Sequence, residues 1–310
     1  MRIYKPLLAF VIAALLVVSA GCQQAFPSVI PGKVSTPPIA ATSPTPTPPA
    51  NPTSSSQQLK VSFIDVGQAD CTLIQYGTSA MIIDAGTNDS AASLITTLKK
   101  MSVTKLDVVI GTHPHEDHFG GLDAVINNFK VGIIYMPKVF NNTKTFEDVL
   151  LAIKNKGLTV NTPVPGTTFT LGNDVDVNCT ILAPNGSSYP ELNNYSIVIK
   201  ITFNGNSFIF TGDAETDSEK EMLARGYDLR ADVLKVGHHG STSSTSSEFL
   251  KEVSPAIAVI FVGKDNPYGH PHQETLNKLI SAGVKIYRTD LNGTITITVN
   301  GTTMYTRTEK

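Results

Sequence analysis

The 310-residue chain has only three cysteines and a charged fraction of 16%. Three scattered cysteines exclude a disulfide-built miniprotein and a cysteine-rich zinc ribbon. Beyond the first twenty residues no apolar run is long enough to span a bilayer, which excludes a multi-pass membrane protein. A basic field is missing as well. Formal net charge is -2, unlike the strongly positive surfaces of many nucleic-acid binders. The shortage has a regional side. Before residue 60 there is no Asp or Glu, and Arg2, Lys5 and Lys33 are the only basic residues. Of the chain's 24 basic and 26 acidic residues, 21 and 26 therefore fall in the remainder, a formal charge of -5. Any polyanion would have to be gripped by local charge or by metal. What is present is ordinary globular material: 41% hydrophobic residues, enough for one large domain or two small ones.

The N-terminus reads as an address. Arg2 and Lys5 precede an apolar stretch at 7–18, and Ser19, Ala20 and Gly21 stand directly before Cys22. A charged start, a short apolar core and small residues form a secretory signal rather than a structural helix. The small residues before Cys22 resemble a bacterial lipobox, with Ser19 where Leu is commonest, so Cys22 is the expected site of lipidation. Residues 23–58 are rich in Pro, Thr and Ser and cannot bury apolar area. They are expected to be an extended tether. The organisation expected is thus a signal at 1–22, a tether at 23–58 and a catalytic domain at 59–310, on the outer face of the bacterial cytoplasmic membrane.

Residues 59–310 alternate short apolar strands with helical spacing. Strands are expected at 59–66, 71–76, 80–84, 106–111 and 131–136, with helices at 90–101 and 121–129. The second half repeats the style. Strands are expected at 175–182, 196–203, 207–211, 232–236, 256–262, 284–287 and 293–299, and helices at 215–225, 246–253 and 273–282. Two βα-rich halves of similar length imply two sheets packed face to face with helices outside.

All seven histidines lie in three clusters: His113, His115 and His118; His238 and His239; His270 and His272. Clustering at strand ends marks a site, because functional groups gather on loops at one edge of a scaffold. In the first cluster, His113, His115, Asp117 and His118 offer four ligands in six residues between a strand and a helix. Imidazoles suit zinc, iron or manganese, and the carboxylate lets a second ion be held alongside. Asp213 ends a strand and could bridge two ions. Asp84 closes another and could orient a ligand histidine from behind.

With these residues in view, the sequence resembles the metallo-β-lactamase superfamily, whose H-x-H-x-D-H signature is met by His113, His115, Asp117 and His118. Within it, 59–310 resembles the extracellular domain of the ComEC-type DNA-uptake competence proteins. That resemblance rests on Asp65-Val-Gly-Gln-Ala-Asp70, Asn193-Asn-Tyr-Ser196, Leu234-Lys-Val-Gly-His-His-Gly-Ser241 and Tyr268-Gly-His-Pro-His272. It implies an α/β fold, a four-layer αβ/βα sandwich of two mixed sheets with outer helices, and two divalent metal ions, zinc or manganese, at one edge. One ion would take His113, His115 and Asp213. The other would take Asp117, His118, Asp213 and one of the pair His238/His239, with His238 preferred by its place after the strand and His239 behind it. Most superfamily hydrolases supply a third histidine to the first ion. Here the corresponding stretch, Leu192-Asn-Asn-Tyr-Ser196, has none, and the expected substitute is an asparagine, Asn193 or Asn194, or a water. An amide oxygen is a harder ligand than imidazole and shifts preference towards manganese.

The remaining expectations concern chemistry. Asp117, His270 and His272 are expected to be catalytic, the last two as general acid or phosphate contact. Lys235 and Ser241 are expected at the substrate, and the Ser/Thr-rich loop at 237–247 to offer backbone N–H groups to a phosphate. Cys71 and Cys179 both fall in strands, and spacing leaves their pairing open. The expected function is a lipid-anchored, monomeric metallohydrolase acting on DNA or another phosphodiester. The alternatives are hydrolysis of a small ester, lactone or β-lactam, and a non-catalytic surface binding or competence accessory role.

Overall fold

The computed structural model describes residues 57–172 and 177–310. The signal, Cys22 and the tether lie outside the described residues, as does the start of the strand expected at 175–182. All elements below belong to the unit Ser54–Lys310.

The first half builds β1 (Leu59–Phe63), β2 (Thr72–Tyr76), β3 (Ser79–Ile83), α1 (Ala91–Lys100), β4 (Lys105–Ile110), α2 (Glu116–Phe119), α3 (Leu122–Asn128), β5 (Lys130–Tyr135), α4 (Lys144–Asn155) and β6 (Val160–Asn161). The second builds β7 (Thr168–Thr170), β8 (Asn178–Ala183), β9 (Val198–Phe203), β10 (Asn206–Phe210), α5 (Thr216–Arg225), β11 (Val233–Lys235), α6 (Ser247–Val253), β12 (Ile257–Ile260), α7 (Gln273–Ser281), β13 (Lys285–Arg288), α8 (Thr289–Asn292), β14 (Ile295–Asn300) and β15 (Thr303–Thr308). One sheet runs β15-β14-β1-β2-β3-β4-β5-β6, the other β13-β12-β11-β10-β9-β8-β7. Each begins as an antiparallel meander and turns parallel where helices enter, at β3–β4 and at β10–β11.

Strand alternation places the core. In β1–β4, Val61, Phe63, Ile74, Met81 and Val108 face Ile199, Ile201, Phe208 and Phe210 of the other sheet in one inter-sheet cluster. Their neighbours Leu73, Ile82 and Val109 face outward against Leu94 and Leu98 of α1, Val125 of α3 and Val149 of α4. On the far side Ile209, Leu234 and Ala258 meet Met222 of α5, Phe249 of α6 and Leu279 of α7. Strands buried on both faces read as continuous apolar runs rather than alternations. Three apolar interfaces make four layers, helix, sheet, sheet, helix, the architecture the sequence implies.

Two stretches that the sequence reading leaves unassigned form elements here. α4 begins at Thr143, whose side chain accepts from the Phe146 N–H, and it buries Phe146, Val149 and Ile153 at helical spacing. β15 is an edge strand with alternating intermediate and exposed residues, so it carries no apolar signal. Cys71 and Cys179 are free and buried, on opposite faces of different sheets. Among the described residues no helix is long and apolar enough to cross a membrane.

Candidate metal centre

The parallel strands β3, β4, β10, β11 and β12 deliver their carboxyl ends to one edge, where open α/β sheets place ligand sites. From these ends come Asp84, the 112–118 loop, Asp213, the pair His238/His239 and the loop to His270.

Asp84 leaves β3 in a left-handed conformation at φ 57°. Its carboxylate accepts from the Thr112 N–H at 2.8 Å and the Thr112 hydroxyl at 2.7 Å, and meets His118 Nδ1 at 2.8 Å. His118 Nε2 then lies 3.2 Å from Asp213 Oδ2. His239 is built on the same plan: Nδ1 bonds the Phe261 carbonyl at 3.0 Å, and Nε2 lies 3.1 Å from Asp117 Oδ2 and 3.6 Å from Asp213 Oδ2. Asp117, His118, Asp213 and His239 each place a ligand atom within 4.8 Å of the others. On the other side of Asp213, His113 is fully buried, with Nε2 2.9 Å from His115 Nδ1 and 4.0 Å from Asp213 Oδ2.

The sequence preference for His238 over His239 is corrected here. Both residues sit in a left-handed turn, at φ 47° and 53°, so the alternation of an extended strand does not choose between them. His239 is the buried one that meets Asp117. His238 is 26% exposed, with Nδ1 on Glu215 and Nε2 3.9 Å from Asp213 Oδ2, and does not meet Asp117. The asparagine pair resolves similarly. Asn194 Oδ1 accepts from the N–H groups of Glu215 and Ser218 at the start of α5. Asn193 is therefore the one left at the site.

Lys235, expected at the substrate, is 2% exposed, and its ammonium is 2.5 Å from Asp70 Oδ2 and 2.6 Å from the Gly212 carbonyl. It stands behind Asp213, 3.6 Å from Oδ1, as a buried counter-charge. Ser241, also expected there, is buried and bonds Ser243 within its own loop. Most of the Ser/Thr loop's N–H groups are also taken. Gly237, His238, Ser241 and Thr242 through Ser246 donate their N–H groups inside the protein, Thr245 and Ser246 to buried Glu219. His272 accepts the Thr242 N–H and contacts the Tyr268 carbonyl, so its ring braces the loop rather than facing the site. His270 does reach the site, its ring 5.5 Å from that of His238 and 6.2 Å from that of His239. Gly240, at φ 84°, lets Pro271 pack so closely that a Cβ would meet it at 2.5 Å.

Electrostatics divide the cluster. Burial opposes charge on His118 and His239, but Asp213 and the neighbouring carboxylates outweigh it and raise both rings. Burial works against Asp213 and Asp117 too, yet His118 and then His239 hold both well below the usual carboxylate range. Burial lowers His113 and His115. Burial and the neighbouring histidines bring His270 down to about 4, so it is neutral at physiological pH. His118 Nε2, Asn193 Oδ1 and Asp213 Oδ1 are buried without a hydrogen-bond partner. Orphaned lone pairs are expensive in a dry interior unless a cation satisfies them. This nitrogen and oxygen set fits divalent ions.

A cleft of about 530 Å³ opens over the cluster, lined by Gln68, His115, Asp117, Asp213, His239, Tyr268 and His270. A larger groove of about 820 Å³ lies between α6 and α7, but it carries none of these ligands. Gln68, Asp70, Glu215, Ser243 and Tyr268 are site neighbours that residue-by-residue reasoning passed over. Asp70 and Gln68 belong to the Asp65–Asp70 motif and Tyr268 to the motif ending at His272. Glu215, two residues beyond Asp213, read only as the start of a helix.

The family model for the metallo-beta-lactamase superfamily matches residues 64–264. The chain belongs to the metallo-β-lactamase superfamily. Among curated relatives, ComE operon protein 3 of Bacillus subtilis is 33% identical over 258 residues, covering 77% of this chain and 33% of that one. Competence protein ComA of Neisseria gonorrhoeae is 28% identical over 239 residues, 76% of this chain and 31% of that one. The chain spans about a third of the length of these relatives. Among solved structures, the metallo-beta-lactamase fold protein YhfI from Bacillus subtilis aligns at a TM-score of 0.52 and 14% identity, over 80% of this chain and 99% of that one. That likeness shows the shared fold. The superfamily and the ligand cluster together support a metal-dependent hydrolase with ComEC-type competence relatives.

Proposed function

We propose that this metallo-β-lactamase-fold chain hydrolyses phosphodiesters, with DNA outside the membrane as the substrate class. The observation that carries the reading is the convergence of His113, His118, His238 and His239 on one oxygen of Asp213, at 4.0, 3.2, 3.9 and 3.6 Å. A carboxylate so placed suits two divalent ions. Bound there, such ions supply Lewis-acid charge to a phosphoryl oxygen and make a water nucleophilic near neutral pH. Asp117, His118 and His239 would hold one, and His113, His115 and Asn193 the other. The oxygen donor of Asn193 favours manganese over zinc.

The chain's own groups do the rest. Neutral His270 stands over the cleft and can donate one N–H to a phosphate oxygen or leaving group. Tyr268 is 64% exposed beside it, with rings 5.7 Å apart and tilted by 25°, a face on which a nucleobase can stack. Stacking suits a domain whose formal charge of -5 gives little grip on phosphates. The competence relatives support nucleic acid over a small ester, lactone or β-lactam. The charged start, apolar core and Gly21-Cys22 boundary support lipidation of Cys22 and display of the domain on a Pro/Thr tether.

The test is a phosphodiester substrate against a β-lactam at equal metal loading, with manganese and zinc supplied separately. Cleavage of the phosphodiester alone, faster with manganese, is the expected result. Hydrolysis of the β-lactam alone overturns the function and leaves the fold, and no hydrolysis of either favours the non-catalytic accessory role. For the anchor, Cys22→Ser should release the domain or stall its processing. Unchanged membrane retention of the processed variant contradicts it.

A further inference from the structure

We infer that His238, its ring held by Glu215 and Ser243, supplies the first ion with the imidazole that the 192–196 stretch lacks. The inference rests on the binuclear reading above and names its missing donor. His238 Nε2 lies 3.9 Å from Asp213 Oδ2, next to the 4.0 Å of His113 Nε2 from the same oxygen. Donors that share an ion at bonds of about 2.1 Å sit roughly 3 to 4 Å apart. Each nitrogen therefore stands from Asp213 at a spacing that one ion can bridge.

The other nitrogen explains the aim. His238 Nδ1 is 3.2 Å from Glu215 Oε1 and 3.1 Å from Ser243 Oγ, and the Ser243 hydroxyl donates to the same Glu215 oxygen at 2.9 Å. A carboxylate that takes the Nδ1 proton leaves the Nε2 lone pair free and turned towards Asp213, the outer arrangement typical of metal-bound histidines. The neighbours follow one plan. His118 is backed at Nδ1 by Asp84, His239 by the Phe261 carbonyl, and His113 by Ser196. His238 is the fourth ring so built.

Two further observations agree. Asn193 occupies the gap, but its Oδ1 has no partner, while its Nδ2 reaches Glu215 at 3.2 Å and His238 Nδ1 at 3.4 Å. Through Glu215, which accepts from both, the amide is tied to the ring that replaces the missing histidine. The backbone of His238 is left-handed, at φ 47°, a conformation that a non-glycine residue holds only when its surroundings fix it, as they do at functional sites.

The experiment is manganese binding to the full chain, followed by equilibrium dialysis and by the electron paramagnetic resonance of the bound ions. Wild type should bind two ions. His238→Ala should keep one at wild-type affinity and weaken the other by about 100-fold, with one nitrogen coupling fewer on the weakened ion. Glu215→Gln and Ser243→Ala should weaken that same ion by about 10-fold while leaving the coupling, as loss of an outer hydrogen bond does. Thermal melts of each variant establish that the fold survives. Two ions at wild-type affinity in His238→Ala overturn the inference alone and turn the ring towards substrate. A single ion in wild type, unchanged by His238→Ala, overturns the binuclear reading along with it.

Discussion

The two sides of Asp213 are made differently. On one, Asp117, His118 and His239 stand within reach of one another, both rings buried, and Lys235 backs the shared carboxylate. On the other, His113 is buried, but His115 and His238 are partly open, and the amide oxygen of Asn193 is buried without a partner. The first side is organised by the fold before any ion arrives, because its carboxylates and raised imidazoles already balance. On the second, burial lowers His113 and His115, and no carboxylate other than Asp213 stands among the donors to balance an imidazolium. A tight position and a looser one would follow from this difference in packing and charge.

The largest break in that comparison is Asp213→Ala. The residue serves both sides, so elemental analysis should fall from two ions per chain to none, whereas His115→Ala should lose only the looser one. Next is the buried pair behind the tight side. Lys235→Met strands Asp70 in a dry interior, and removing one partner of such a pair costs about 3–5 kcal/mol, readable by denaturant unfolding of the metal-free protein. A cost under about 1 kcal/mol contradicts its role as counter-charge. Asp84→Asn sharpens the comparison. It should weaken the tight ion by about 10- to 100-fold and leave the looser one alone, in competition assays with a chelator.

The smallest effect is acid sensitivity. Burial, then the charges of His239 and His238, bring His270 to about 4 in the fold, below its unfolded value of about 6.5. As pH falls, the unfolded chain takes the proton first, so this residue costs nothing above pH 6.5 and removes stability as pH drops from there to 4. His270→Gln should flatten that loss by no more than about 1 kcal/mol, since the ring is half exposed and screened. Melting of the metal-free protein across pH 4 to 7 measures it.

What the sequence disclosed follows the same division. The 113–118 cluster is contiguous, and its ligands are set by a single strand-to-helix turn, so spacing alone exposes it. The four layers were legible because strands buried on both faces and amphipathic helices leave clear periodicities. Lys235 paired with Asp70 and Glu219 paired with the 245–246 backbone are contacts between distant segments, which periodicity does not encode. A strand-based preference between His238 and His239 has no footing, for a local reason. Two successive left-handed residues break the alternation on which a strand-based choice depends. The same turn brings Glu215 and Ser243 against His238, and helix-start and loop residues give no sign of that in sequence.

The central claim is tested most directly by titrating manganese into the metal-stripped full chain while counting bound ions and phosphodiester turnover in the same samples. The account predicts that the first equivalent binds tightly with little turnover, and that activity rises with a second, weaker equivalent. Full activity with one ion bound, or two ions bound with equal affinity, would contradict it.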